Sequence, residues 1–527
     1  MLNRRQLLQK AAAAAPAVLL GRAALASAAA NPASFDGRNL VIFMTDQERA
    51  IQHFPKGWAE RNLPGLQRLL KHGVSFDNAA CNACMCSPSR ATFFTGQLPA
   101  HHGVKYTLEE NMPDDQYPQV ELEPSIPNLA TAMAAAGYDV VYKGKFHLTK
   151  PANGSTFQTS DLLPYGFTRW NPPDAGANQN VDQAGGGSTD NDGRYMDSEG
   201  DPESGQEGVL QFLRTRKPGD KPFCLMISLV NPHDVLLYPR NYVQGGYDDS
   251  WLDGHIELPA TVDEDLSTKP SVQQRFVRLF GLSGVLGTPA RKRNYLRFYA
   301  NLMKSSDSYL VQVLDALDQQ GLTDDTVVVR TSDHGEMGMT HNSMRQKNFQ
   351  GYEETLRVPL VYSNPQLFPR PRTSDALVSH VDFMPTIAAL FGAPKQAAWQ
   401  GHDYSHIVRG TSDRPVQDHT VFTFEDVQAG QASGPYLKAP NCIVAIRERR
   451  WKLVETYDAK GQLPSEWEFY DRRHDPVEKR NLAWPGVKRT PEQDRAYERL
   501  QATLKVVKSR QLQPLPTTPQ PLVQPPV

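Results

Sequence analysis

Short apolar runs recur along the chain, and polar or ionisable residues follow each of them directly. Leu40-Val41-Ile42-Phe43-Met44-Thr45 reads as a buried strand, with Asp46-Gln47 beyond its end. Asn62 to Gly73 carries helical spacing with a glycine stop, and Ser125 to Ala136 is a second helix closed by Gly137. Tyr138 to Tyr142 predicts another strand, followed by Lys143-Gly144-Lys145-Phe146-His147. Phe223 to Val230 leads into Asn231-Pro232-His233, and Thr326 to Thr331 into Ser332-Asp333-His334-Gly335. Strands alternating with helices predict an α/β fold around a mostly parallel central sheet flanked by helices. Ligands bind at the carboxyl edge of such a sheet, so four sets of residues far apart in sequence are expected to converge there.

Toward the C-terminus the pattern changes. Cys442 to Ile446, Trp451 to Tyr457 and Trp467 to Asp471 read as successive antiparallel strands, with Asp475 to Leu482 as a capped turn. They predict a small C-terminal antiparallel sheet subdomain over 416–500, behind a catalytic domain over 38–415. Asn171 to Gly208 is rich in Gly, Asn, Asp and Pro, and reads as a disordered surface excursion more readily than as a lid over a site. From residue 511 to 527 Pro and Gln dominate, and no core is expected.

The run Cys86-Ser87-Pro88-Ser89-Arg90, continued by Ala91-Thr92-Phe93-Phe94-Thr95-Gly96, reads as a nucleophile at a helix start. Ser87 is expected as the N-cap, Pro88 as the first helical residue and Gly96 as the left-handed exit. Cys86 would then sit just outside a helix N-terminus, where unpaired N–H groups favour an anion and Arg90 can reach back to it. A zinc knuckle built on Cys81, Cys84 and Cys86 would need a further Cys/His pair at matching spacing, and none appears.

This string resembles the signature of the type I sulfatases of the alkaline phosphatase superfamily, in which the Cys of Cys-x-Pro-Ser-Arg is oxidised to formylglycine (3-oxoalanine). The resemblance covers about residues 38 to 483 and implies an alkaline-phosphatase-like fold. It implies that a hydrated aldehyde at position 86 attacks sulfur and that its second hydroxyl, held by Arg90, later expels sulfate. It further implies one divalent metal held by Asp46, Gln47, Cys86, Asp333 and His334. Lys145 and Lys347 would bind sulfate oxygens and the leaving oxygen, His147 would deprotonate the covalent hemiacetal, and His233 would assist the leaving group. Gln47 in place of a second Asp, and His334 in place of Asn, match the branch that includes choline sulfatases and phosphonate monoester hydrolases. Oxygen ligands make Ca²⁺ the first expectation, while the gained imidazole admits Mn²⁺. The substrate expected is a small-molecule or saccharide sulfate ester. The alternatives are a phosphonate monoester or phosphodiester, or a non-catalytic module that captures sulfated ligands, although a mere binder has no need of the nucleophile.

A net charge of -2 on 527 residues gives no reason to expect a nucleic-acid or anionic-membrane partner. Five cysteines, an odd number, leave at least one unpaired. Asn3-Arg4-Arg5-Gln6-Leu7-Leu8, an Ala-rich stretch and Ala26-Ser27-Ala28-Ala29-Ala30 resemble a twin-arginine signal peptide over residues 1–30, too short and Ala-rich for a stable membrane anchor. The partners implied are the Tat translocase and a formylglycine-generating or sulfatase-maturing enzyme. The location implied is periplasmic or secreted.

Overall fold

The computed structural model describes residues 34–109, 118–177, 180–252, 254–282, 286–430 and 436–521. The signal segment, residues 1–30, lies outside them. The strands of the first half are β1 (Asn39–Asp46), β2 (Gly73–Ala80), β3 (Ala83–Cys84), β4 (Asp139–Gly144), β5 (Phe223–Pro232) and β6 (Thr326–Ser332). Then come β7 (Leu360–Ser363), β8 (Arg372–Ser379), β9 (Thr420–Phe424), β10 (Cys442–Arg447), β11 (Trp451–Tyr457) and β12 (Glu466–Asp471). A seven-stranded sheet runs β4-β5-β1-β6-β7-β2-β8, in which only β7 is antiparallel to its neighbours. The second sheet runs β12-β11-β10-β9-β3 and is antiparallel except for the β3–β9 pair. The described residues from Phe35 onward form one compact unit.

β1 is buried along its whole length, and its period-two alternation divides the core. Leu40, Ile42 and Met44 enter one cluster, with Cys224, Met226, Val327 and Val329. Val41 and Phe43 enter another, with Leu225, Ile227 and Val328. The helix Cys86–Thr95 contributes Phe93 and Phe94 to the first cluster. Covering the second is a 31-residue helix, Pro289–Gln319, through Leu310, Val313 and Leu317. Its Asp307 also accepts hydrogen bonds from Gly65 N at 2.7 Å and Leu66 N at 2.8 Å, satisfying the first turn of the helix Pro64–Lys71.

Several expected elements are shifted, each for a local reason. The helix expected over Asn62 to Gly73 is broken in two, Trp58–Asn62 and Pro64–Lys71, because Pro64 starts a new first turn. Gly73 is no helix stop but the first residue of β2, where a Cβ would lie 2.6 Å from Leu69 O. The helix expected from Ser125 begins at Leu129, since Asn128 and Thr131 form a capping box there. β4 continues to Gly144, so Lys143 lies within a strand with its ammonium 3.2 Å from Glu207 Oε2. The excursion expected over Asn171 to Gly208 is instead built into the fold. It contains the helix Asn191–Asp197, and Asp192 accepts from Val230 N at 2.6 Å and Asn231 N at 2.9 Å.

The three C-terminal strands stand where the pattern put them, joined by β9 and β3. The helix Pro491–Arg510 runs past the subdomain end expected at residue 500, packing Leu500, Leu504 and Val507 on Ile446 and Leu453. Beyond it the Pro-rich segment folds back, and Thr518, 8% exposed, donates to Ala100 O at 3.3 Å.

A buried ionic knot ties the two sheets together. Glu353, between β6 and β7, accepts from Arg447 Nη2 of β10 at 2.9 Å and Arg472 Nη2 at 2.6 Å, while Lys452 of β11 reaches Glu478 at 2.6 Å. Burial pushes the Glu353 carboxyl up, but Arg447, Arg472 and Lys452 hold it well below its usual range. A value depressed in the folded state stabilises the fold above the unfolded-state value of about 4.3 and is lost as pH falls through the folded value. Glu353→Gln leaves three buried cations short of a partner and is expected to cost about 3–5 kcal/mol at neutral pH by denaturant unfolding. That deficit should narrow as pH falls from about 4 toward the depressed folded value, because the unfolded chain takes up the Glu353 proton first.

Candidate active site

Cys86 is the first residue of its helix, not the residue before it. β3 ends at Cys84, Met85 takes the N-cap position with φ -89° and ψ -139°, and Gly96 closes the helix at φ 65°. Ser87, expected as the N-cap, lies inside the first turn, where its Oγ accepts from Leu108 N at 3.0 Å. The chain leaving β3 turns two residues earlier than the cap rule implies.

The four strand ends converge on this thiol. Cys86 Sγ lies 3.2 Å from His334 Nε2 and 3.7 Å from Asp46 Oδ1. Lys145 Nζ is 2.5 Å from Asp46 Oδ2 and donates to Gly176 O at 2.6 Å. Arg90 bridges both acids, with Nη2 3.2 Å from Asp46 Oδ2 and Nε 2.9 Å from Asp333 Oδ2. The remaining Arg90 donor, Nη1, meets Lys145 O and Ser228 Oγ, each at 2.8 Å. Asp46, Arg90, Lys145, Asp333 and His334 have no solvent exposure.

The charges are mutually determined. Burial pushes Asp46 up, but Lys145, His233, Arg90 and His334 bring it well below the usual carboxylate range. Burial and Asp46 push the Cys86 thiol up, yet Lys145, Lys347 and His334 bring it below its ordinary value. His334 is lowered by burial and lifted by Asp333 and Cys86, to about 9. Burial, with Lys145 adding repulsion, holds His147 and His233 well below 6.5, so both imidazoles are neutral.

Asp46, Cys86, Asp333 and His334 offer ligand atoms within 4.8 Å of one another, all buried. Two carboxylates and an imidazole in one buried cluster are the donor set of a divalent cation site. Gln47 stands beside them in a left-handed conformation, φ 67°. Its Nε2 donates to Glu336 Oε2 at 2.5 Å, leaving Oε1 to accept from Lys347 Nζ at 2.5 Å. Glu336 also accepts from Tyr295 OH at 2.7 Å and Gln346 N at 2.9 Å, so it fixes both the Gln47 amide and the backbone before Lys347.

A cavity of about 220 Å³ opens on Cys86, lined also by His147, His233, Lys347, Glu109 and Tyr436. His147, at φ 62°, donates from Nε2 to Leu108 O at 2.6 Å, which leaves Nδ1 the lone-pair nitrogen, and among the described residues that atom has no partner. Asp174 brackets this turn, accepting from Phe146 N at 2.7 Å and His147 N at 2.6 Å. All ten residues picked out in the sequence thus lie in or beside one site. Asp174, Gly176, Ser228 and Glu336 were missed. Glu336 alone carried a signal, two residues beyond the Asp333-His334 pair.

The sulfatase family model matches residues 38–393. The chain belongs to the sulfatase family. It is a sulfuric ester hydrolase of the alkaline phosphatase superfamily, as the relatives bear out. A second model, that of the C-terminal part of N-sulphoglucosamine sulphohydrolase, matches residues 343–509. Choline-sulfatase from Rhizobium meliloti is 27% identical over 469 residues, covering 84% of this chain and 82% of that protein. An ulvan-active sulfatase from Formosa agariphila is 25% identical, covering 84% of this chain and 76% of that protein. Among solved structures, a 2-O GAG sulfatase aligns with TM-score 0.67 and 20% identity, over 90% of this chain and 93% of the other. Phosphonate monoester hydrolase from Silicibacter pomeroyi aligns with TM-score 0.62 and 21% identity, over 90% and 96%. These two structures establish the shared fold.

Glu336→Gln can turn the Gln47 amide around, presenting Nε2 to Lys347, and is expected to lower sulfatase kcat by about tenfold or more. The double variant Gln47→Glu with Glu336→Gln restores a donor–acceptor match along the chain from position 336 to Lys347. It should recover a large part of the loss in steady-state assays. A double variant no better than the single one would show that amide orientation is not what Glu336 supplies.

Proposed function

We propose that this sulfatase hydrolyses a small-molecule or saccharide sulfate ester with formylglycine at position 86 as its nucleophile. The observation that carries the reading is the place of Cys86 Sγ, 3.2 Å from His334 Nε2 and 3.7 Å from Asp46 Oδ1, in a cluster that only charge compensation makes tolerable. Oxidation of Cys86 by a formylglycine-generating or sulfatase-maturing enzyme would place an aldehyde there. Its hydrate has one hydroxyl to attack sulfur, breaking the bond to the leaving alcohol, and a second to expel sulfate. A thiol can perform only the first of these steps.

Asp46, Asp333, His334 and the side chain at position 86 would hold one divalent cation, Ca²⁺ or alternatively Mn²⁺, with Gln47 as a further oxygen donor. When bound, the cation offsets substrate charge and polarises oxygen. The protein's own cations do comparable work. Lys145 and Lys347 receive sulfate oxygens, and Arg90, its fork spread over both acids, holds the hydroxyl that is not attacking. His147, neutral with Nδ1 free, accepts that hydroxyl's proton as the covalent sulfate is expelled. Neutral His233 faces the same cavity and serves the leaving oxygen.

The pair Gln47 and His334 also supports a second reading, a phosphonate monoester or phosphodiester hydrolase using the same nucleophile. A sulfate monoester has three bare oxygens for the cationic wall, whereas the other substrates must place a carbon or second alkoxy group there. Sulfate esters are therefore expected to show the higher kcat/KM in a matched aryl series. A clear phosphonate or diester preference would overturn the sulfate reading.

A peptide containing residue 86 from active enzyme should show the mass change of formylglycine, net loss of H₂S and gain of oxygen. Cys86→Ala should fold and lose turnover, and chelation should abolish activity without unfolding the protein. Full activity with unmodified Cys86 would exclude the mechanism.

Export through the Tat translocase, to the periplasm or beyond, is part of the same proposal. The signal lies in residues 1–30, and among the described residues no helix is long and apolar enough to cross a membrane. Arg4→Lys with Arg5→Lys should hold precursor in the cytoplasm, and normal export of that variant would refute the assignment.

A further inference from the structure

The cavity at Cys86 has one acidic side chain that the proposed mechanism leaves unused. Glu109 is 6% exposed and lines the cavity together with His147, His233 and Lys347. Its backbone N–H donates to Gln119 Oε1 at 3.1 Å, but among the described residues no donor meets either carboxyl oxygen. The neighbouring acid is fully engaged elsewhere. Asp426 accepts from Thr107 N and Thr107 Oγ1, each at 2.8 Å, and from Ala429 N at 2.8 Å. Gly430, at φ 73°, leaves the space Glu109 occupies, since a Cβ there would lie 2.8 Å from Glu109 Oε1. A desolvated carboxyl without a partner is unfavourable, and in a binding cavity that penalty is relieved when a ligand brings the partner.

We propose that Glu109 is the recognition point for the leaving alcohol, and that it selects alcohols carrying a hydrogen-bond donor near the ester oxygen. This rests on the reading that the cavity binds a sulfate ester. The sulfate takes the cationic wall of Lys145 and Lys347, so the part of the substrate that reaches Glu109 belongs to the alcohol. Phe276 and Tyr436 supply apolar faces for its carbon skeleton. Burial, with Asp426 and Cys86 adding repulsion, pushes the Glu109 carboxyl well above its ordinary value. A protonated carboxyl both donates to and accepts from a hydroxyl, whereas an ammonium would draw it into its ionised form. Both groups share the donor that the site lacks.

Three aryl sulfates that differ at a single ring position, bearing methyl, hydroxymethyl or aminomethyl, separate these cases in the mature enzyme. The wild type should favour at least one donor-bearing ester over the methyl ester by about tenfold in kcat/KM, the size of one hydrogen bond to a buried group. Glu109→Leu should abolish that ratio. Glu109→Gln, which keeps shape and neutral hydrogen bonding, should retain a hydroxymethyl preference and lose an aminomethyl one, which tells the two donors apart. Melting temperatures of both variants confirm that the fold is kept, and Glu109→Gln carries the test if the leucine variant does not fold. Equal use of all three esters by the wild type, or an unchanged ratio in Glu109→Leu, overturns the proposal alone. Failure of the wild type to hydrolyse any of the three, with turnover of a phosphonate ester, overturns the sulfate-ester reading and this proposal with it.

Discussion

Asp46 is a carboxylate with no solvent exposure, and most of the site follows from that constraint. Two unit charges about 4 Å apart attract by about 4 kcal/mol at an effective dielectric of about 20, more than a typical net hydrogen bond contributes. A buried Asp46 therefore requires cations in fixed places. Lys145 arrives on the turn after β4 and Arg90 from one turn inside the nucleophile helix, each in contact with Oδ2. Lys145, together with Lys347 and His334, also draws the thiol of Cys86 toward its anion. Removing Lys145 or Arg90 would leave the other charges uncompensated, so the acids and the bases of this edge stand or fall together.

The second sheet belongs to this edge as much as the first. β3 pairs with β9 through Ala83–Thr423 and Cys84–Phe424, so the two residues that lead into Met85 and Cys86 are held by the C-terminal sheet. Two residues past β9, Asp426 fixes Thr107 on the cavity wall. The Glu353 knot locks β10 and β11 against the segment that follows β6. A domain boundary drawn near residue 415 marks a change of sheet, while the nucleophile is mounted on both sides of it.

What the sequence made legible was the part governed by the apolar runs with their polar ends and by the nucleophile run. Four strands with strand-end chemistry appear where the apolar runs put them, and Cys86, Arg90, Lys145, His147, His233 and Lys347 meet. The failures share a cause. Asp174, Asp192 and Asp307 act by accepting backbone N–H groups 27, 38 and 242 residues away, and no local pattern encodes such a partner. Composition misled at Asn171 to Gly208, because glycines that read as disorder are used for close approach. A Cβ on Gly176 would lie 2.9 Å from Val230 Cγ1 and 3.2 Å from Lys145 Nζ. The cap at Ser87 failed because β3, only two residues long, could not be seen.

The two site residues with left-handed backbones show how those hidden acceptors matter. Gln47 and His147 sit at φ 67° and 62°, conformations that cost a non-glycine residue about 1–3 kcal/mol unless the surroundings hold them. Gln47 is held by Tyr299, whose hydroxyl donates to Gln47 O at 2.7 Å and accepts from Arg49 N at 3.0 Å. For His147 the two oxygens of Asp174 take the amides of Phe146 and of His147 itself. In each case the strained turn swings one side chain off the strand axis, Gln47 toward Lys347 and His147 toward Leu108 O. A relaxed β conformation would carry those side chains elsewhere. At the end of β1, which would otherwise present only alternate residues to the edge, the strained turn and its bracket thus deliver the consecutive pair Asp46 and Gln47, while at His147 the bracketed turn aims the ring at Leu108 O.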